Sequence, residues 1–292
     1  MKLYYLIVFF LISYFSFSQS EIRNIFAIST NHFSHNFNLK KQDSLVLLYD
    51  VHGNIVEEKY FEDGNFVDFS FRKINKYNQT KITQSIELQL NRQLNLWDTV
   101  FKRDYYYASN DSLEKVISSK KSNNIWRYTQ ISEFHFDEQN RISAQVESDW
   151  YSLMNKFIPK HKEIFKYNKK NQLIQINRQV CNPNGIWFNS GKDSIVYKNG
   201  LKIESFSFYF DDSNRGEWLK TSKESFTYDS LNNHYQTLIQ HWLPEQNKFV
   251  TNEYTRLITL NYNQKNRLNF INEKVFNPYL NRFEDFEQKF FY

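Results

Sequence analysis

The 292-residue chain carries 37 Lys and Arg against 32 Asp and Glu, a formal net charge of +5. The two signs are interspersed, with no basic run long enough to track phosphates, which argues against nucleic acid as a partner. Its 28 Phe, 20 Tyr and 6 Trp, set beside only 6 Gly and 4 Pro, exclude a disordered chain, because such a sequence has ample aromatic surface to bury.

Taken from the start, Met1-Lys2 precede an uncharged apolar run from Leu3 to Phe15, then Ser16-Phe17-Ser18 and Gln19. This is the three-part pattern of a signal peptide cleaved after Ser18. The apolar run falls short of the ~20 residues that span a bilayer, so no transmembrane helix is expected once the signal is removed. The sole cysteine, Cys181, lies far from this region. It has no disulfide partner and reads as a small hydrophobe on a strand. The chain therefore divides into a signal peptide (1–18), an N-terminal cap segment (19–45) and one β-hairpin repeat domain (46–292).

The repeat shows itself through aromatic marks. Tyr105-Tyr106-Tyr107, Phe134-His135-Phe136, Phe165-Lys166-Tyr167, Ile195-Val196-Tyr197, Phe226-Thr227-Tyr228, Leu260-Asn261-Tyr262 and Phe290-Phe291-Tyr292 all read apolar, any, aromatic. Their last residues are 29, 31, 30, 31, 34 and 30 positions apart. After Tyr107, Phe136, Tyr167, Tyr197 and Tyr262 comes a polar turn, and an apolar residue stands six positions on: Leu113, Ile142, Leu173, Ile203 and Leu268. Tyr49-Asp50-Val51-His52-Gly53-Asn54-Ile55 is an earlier copy, and residues 74 to 80 read as a decayed one. A second mark, 20 or 21 residues after the preceding marker, appears in Asn155-Lys156-Phe157, Gly185-Ile186-Trp187, Gly216-Glu217-Trp218, Asn247-Lys248-Phe249 and Asn281-Arg282-Phe283. Each unit then holds two turns and two strands.

Aromatics two apart share a face only on a strand, and no 3.6-residue period recurs. The expected fold is all-β: an antiparallel meander of tandem β-hairpins, 14 to 16 strands in number, forming a large twisted elongated sheet, with a wide closed barrel as the alternative and a propeller third. The markers, Trp187 and Trp218 among them, are expected to pack across strands, those of the central units on one buried face.

The Tyr-Asp or Tyr-Asn turn alternating with Trp or Phe half a repeat later resembles secreted tandem β-repeat proteins of Bacteroidota and, more distantly, the YD repeats of cell-surface and toxin-shell proteins. That resemblance covers most of residues 46 to 292. It implies an exported protein of the periplasm, cell surface or exterior, and it brings no catalytic residues with it.

No constellation for chemistry stands out, and no catalytic residue, cofactor or metal site is assigned. His32 and His35, three apart, face opposite sides of a strand. Asp211, Asp212 and Asn214 before Gly216 miss the calcium-loop spacing. Glu57 and Glu58 are adjacent and so point apart. Five tripeptides, at Ser44, Thr99, Ser112, Ser194 and Ser230, match the D-[S/T]-apolar acceptor of Bacteroidota O-glycosylation. The functional expectation is a non-catalytic binding or structural module of the cell envelope whose partner, a glycan or an envelope protein, stays open. The alternative is an outer-membrane β-barrel, against which stands the Arg178 charge on the strand face of Ile174, Ile176 and Val180.

Overall fold

The computed structural model describes residues 24–33, 39–61, 69–213, 216–264 and 267–291. The signal segment, His35, Asn214 and the last marker Tyr292 lie outside the described residues, as do the side chains of His32 and Ser44. Among the described residues nineteen strands form one sheet. They are β1 (Asn24–Phe33), β2 (Leu39–Tyr49), β3 (Ile55–Phe61), β4 (Phe69–Asn78), β5 (Lys81–Asn91), β6 (Leu96–Tyr107), β7 (Leu113–Ser122), β8 (Ile125–Phe136), β9 (Ile142–Tyr151) and β10 (Lys156–Tyr167). The chain continues through β11 (Leu173–Cys181), β12 (Trp187–Lys198), β13 (Leu201–Asp211), β14 (Glu217–Tyr228), β15 (His234–Leu243), the short β16 (Lys248–Val250), β17 (Arg256–Tyr262), β18 (Leu268–Asn277) and β19 (Arg282–Phe291).

The antiparallel meander expected from the repeat is what forms. Sequential strands pair throughout, except that β15 pairs both with β16 and, beyond it, with β17. The segment read as an N-terminal cap supplies β1 and most of β2, ordinary members of the same sheet. β1 also pairs with β19 through five residue pairs, Ile28↔Phe291 to His32↔Glu287.

Local chemistry explains the turns. Where a marker is followed by Asp or Asn, that side chain organises a five-residue connection: Asp50 Oδ1 accepts from the amides of His52 (2.8 Å) and Asn54 (2.9 Å). Asp137, Asn168 and Asp229 accept in the same way from the amides two and four residues on. The fourth position is left-handed, at Gly53 (φ 80°), Asn140 (φ 57°), Asn171 (φ 61°) and Asn232 (φ 64°), which Gly and Asn tolerate best. The Tyr-Asp signature is thus a strand end followed by an Asx-closed turn. At the other end, Asn95, Asn155, Asn247 and Asn281 adopt φ 49–51° as the last residue of each turn. This accounts for the Asn that opens the half-repeat mark.

The sheet is a single layer without a thick core. Among the described residues the buried apolar side chains are Leu48, Phe61 and Ile131, whereas Asn75, Ser85, Ser118, Ser119, Ser148, Ser205, Thr237 and Thr255 are buried polar ones. Small side chains sit at strand centres, where longer neighbours lie across them. The described marker aromatics, expected to be buried, are half-buried instead, because among the described residues no second layer packs against their face.

Candidate binding surface

Residues paired across strands share a face, so the registers sort side chains into two sets. One face carries the marker tyrosines. The other carries all six tryptophans, at positions 97, 126, 150, 187, 218 and 242.

On the tyrosine face each hairpin is fastened to the one before it. The Tyr77 hydroxyl donates to the Ile55 carbonyl (3.0 Å), Tyr107 to Ile82 (3.0 Å), Tyr167 to Ile142 (2.9 Å), Tyr197 to Leu173 (3.1 Å), Tyr228 to Lys202 (2.7 Å) and Tyr262 to His234 (2.8 Å). Phe136 holds the same place in the repeat and has no hydroxyl. The turns are linked laterally as well: Ser112 Oγ donates to Asn140 Oδ1 (2.8 Å) and Arg141 Nη1 to Asn171 Oδ1 (2.9 Å). Burial raises the pKa values of Tyr77, Tyr107, Tyr197 and Tyr228.

The tryptophan face repeats the device with different chemistry. Arg72 lies over Trp97 (5.3 Å), Lys102 over Trp126 (5.5 Å), Lys162 over Trp187 (5.9 Å), Lys192 over Trp218 (4.7 Å) and Lys220 over Trp242 (4.3 Å). In each case the cation comes from the preceding hairpin. Across the hairpin the tryptophan meets another ring in Trp150–Phe157 (4.9 Å), Phe210–Trp218 (5.0 Å) and Trp242–Phe249 (5.0 Å), all edge-on. Phe276–Phe283 (5.3 Å) repeats that pair without a tryptophan.

Charges occupy mid-strand positions on both faces. Glu57 and Glu58 point apart as expected, to Arg72 (2.6 Å) on the tryptophan face and to Lys73 (2.7 Å) on the tyrosine face. Arg178 bridges three strands, with Nε to Glu163 (2.9 Å) and Nη2 to Asp193 (2.6 Å). The bond to Asp193 raises the Arg178 pKa despite partial burial. Gly191, paired with Arg178, leaves room for its stem to cross β12. Beside this cluster is an open cavity of about 270 Å³, lined in part by Gln145, Glu147, His161, Glu163 and Arg178. Within its lining Arg178 pairs with Glu163, and Gln145 Nε2 donates to Glu147 (3.2 Å).

The other residues singled out in the sequence fall as follows. Asp211 Oδ1 accepts from the Ser213 amide and hydroxyl, closing its own turn. Cys181 is half-buried and pairs with Trp187. Of the five acceptor-like tripeptides, Ser230 stands exposed in a turn, while Thr99 and Ser194 lie within paired strands, Ser44 is placed in β2, and Ser112 is held by Asn140. Two turns depart from the spacing read in the sequence. Tyr77, in the segment taken as decayed, makes the full lateral bond. Tyr197 pairs with Lys202, one residue short of Ile203, because Asn199 and Gly200 (φ 53° and 85°) make a two-residue turn.

No known family profile matches the chain, and no curated protein matches it. Solved structures do. A protein of unknown function from Bacteroides fragilis is 17% identical over 42% of this chain and 89% of its own, with a TM-score of 0.36. A porin-like protein from Bacteroides uniformis is 9% identical over 92% of this chain and 95% of its own (TM-score 0.46). The Tc holotoxin pore of Photorhabdus luminescens is 11% identical over 84% of this chain and 14% of its own (TM-score 0.38).

Proposed function

We propose that the protein is an exported module of the cell envelope or exterior that binds or scaffolds through its sheet surface, to a glycan or an envelope protein, without turning over a substrate. The observation that carries this reading is the single-layer sheet. Among the described residues both faces keep solvent-accessible side chains, and the recurring ones fasten hairpin to hairpin, whereas catalysis needs groups that converge in a pocket. A glycan array combined with capture from an outer-membrane extract tests it, and a saturable partner is expected. Hydrolysis of a cell-wall or polysaccharide substrate that is lost on replacing one acidic or His side chain would overturn it.

A membrane-spanning barrel is disfavoured by the faces. Whichever one met lipid would carry mid-strand charge: Glu57, Arg72, Lys102, Lys162 and Lys192 on one, Glu87, Arg103, Glu163 and Arg178 on the other. Each Lys or Arg at the bilayer midplane of such a barrel costs about 2–4 kcal/mol. Carbonate extraction of cell membranes is therefore expected to release the protein.

A further inference from the structure

The two ends of the sheet differ in composition. The turns that follow the marker aromatics carry Asp50, Asp111, Asp137, Glu138 and Asp229 beside Arg141, Lys169, Lys170 and Arg267, and their exposed large apolar residues are Val51 and Leu231 among those described. At the tryptophan end, four consecutive connections, from β5–β6 to β11–β12, together with β18–β19, contain no Asp or Glu. There Leu94 (66% exposed), Ile125, Leu153 (86%), Met154, Ile186 and Tyr279 (96%) stand out into solvent.

Turn geometry does not require these apolar residues. Leu94, Met154, Gln246 and Leu280 occupy the same position, just before the left-handed Asn95, Asn155, Asn247 and Asn281. The polar Gln246 shows that the turn closes equally well without a hydrophobe. Behind the fringe, on one face, run the tryptophans, and Arg92 and Lys156 stand within or directly after the same turns.

From this we propose that the tryptophan end of the sheet docks peripherally on an anionic lipid surface. The protruding Leu, Met and Ile side chains enter the headgroup boundary, the tryptophan band lies at interface depth, and the turn cations face the lipid phosphates. Apolar residues presented by several separate turns along one rim fit a flat surface. A protein partner is expected to bury a compact patch on one side. The docking arc runs from the β5–β6 turn to the β11–β12 turn; the β13–β14 and β15–β16 turns, with Asp212 and Glu245, and the β18–β19 turn beyond them lie outside it.

The inference rests on the reading of an exported module and is tested separately from it. The full chain is floated with vesicles of phosphatidylglycerol and phosphatidylethanolamine, and with neutral phosphatidylcholine vesicles as the comparison. Binding to the anionic vesicles is expected, with a blue shift of tryptophan emission. The double substitution Leu153→Asp with Met154→Asp should lower partitioning at least tenfold, while Leu231→Asp at the opposite end should bind like the parent. All three proteins should give the same circular dichroism spectrum, since the altered side chains are exposed. Failure of the parent to float, or equal flotation of the double variant, overturns the inference. So does a parent that self-associates through this rim in sedimentation without binding vesicles. Capture of a glycan or envelope protein in the absence of vesicle binding would overturn lipid docking and leave the module reading standing.

Discussion

Removing one marker hydroxyl is the sharpest probe of how the sheet holds together. In Tyr197→Phe the bond to the Leu173 carbonyl (3.1 Å) is lost and the ring stays. A protein hydrogen bond contributes about 0.5–1.5 kcal/mol net. Tyr197 is half-buried, so water reaches the vacated carbonyl and the loss should fall at the lower end, about 0.5–1 kcal/mol. Tyr167, Tyr197 and Tyr228 lie on alternate strands, at least ~9.5 Å apart. Their effects should add, to about 1.5–3 kcal/mol in the triple Phe variant, a sizeable part of the roughly 5–15 kcal/mol that holds a typical domain. Urea unfolding followed by tryptophan emission reads this as a lower midpoint at unchanged slope. The converse substitution, Phe136→Tyr, places a donor where the repeat puts the Leu113 carbonyl and should raise the midpoint by a similar single-site amount. A triple variant that unfolds with the parent, or a Phe136→Tyr variant that unfolds earlier, would refute the lateral bond as a source of stability.

Three further outcomes follow. Asn155→Ala should destabilise by about 1–2 kcal/mol, the cost of a left-handed backbone with a Cβ, whereas Asn155→Gly should not; thermal melts of the pair check this. Gly191→Ala should be tolerated in the same melts, since its Cβ would lie 3.6–3.7 Å from Phe208 O and Arg178, an ordinary contact, while Gly191→Leu should displace Arg178 from Asp193. Alkali should weaken the fold. Burial raises the pKa values of Tyr77, Tyr107, Tyr197 and Tyr228, and burial with the nearby Glu58 raises Tyr60 to about 12. The folded state therefore keeps protons that the unfolded state releases above pH ~10, and stability present below that pH falls as pH rises through the raised values. A flat midpoint between pH 9 and 11.5 would contradict it.

What the sequence reveals here is what local chemistry demands. Tyr, Asp or Asn, and a left-handed Gly or Asn recur because a strand end, an Asx turn and a positive φ need those side chains, and Trp or Phe recurs because it stacks across the hairpin and under a cation. The Tyr77 segment reads as a decayed copy because its two-residue turn, Gln79-Thr80, lacks the Asp and Gly that mark the others, although Gln79 takes φ 56° there. The Arg178 cluster joins residues 15 apart on either side, a spacing set by register and bulges that no local pattern carries. Half-burial of the markers was likewise hidden, because alternation tells which face a residue shares and says nothing of whether a second layer covers that face.

The joining of the ends was the least legible feature, and it has a kinetic and energetic consequence. Every other pairing links neighbours in sequence through a short connection or a skipped short strand, so its chain entropy cost is small. The β1–β19 contact brings together residues about 260 apart for five residue pairs, whereas β1 pairs with β2 over ten. A long-range closure with few bonds is expected to open first, since local opening starts where the fewest contacts oppose it. Amide exchange should accordingly be fastest, among strand interiors, at Ser29–Asn31 and Gln288–Phe290, and slowest at Glu163–Phe165 and Asn177–Gln179 in the middle of the meander. Protection at β1–β19 equal to that of β10–β11 would mean that the sheet opens as one cooperative unit, and the picture of hairpins fastened one to the next would have to be abandoned.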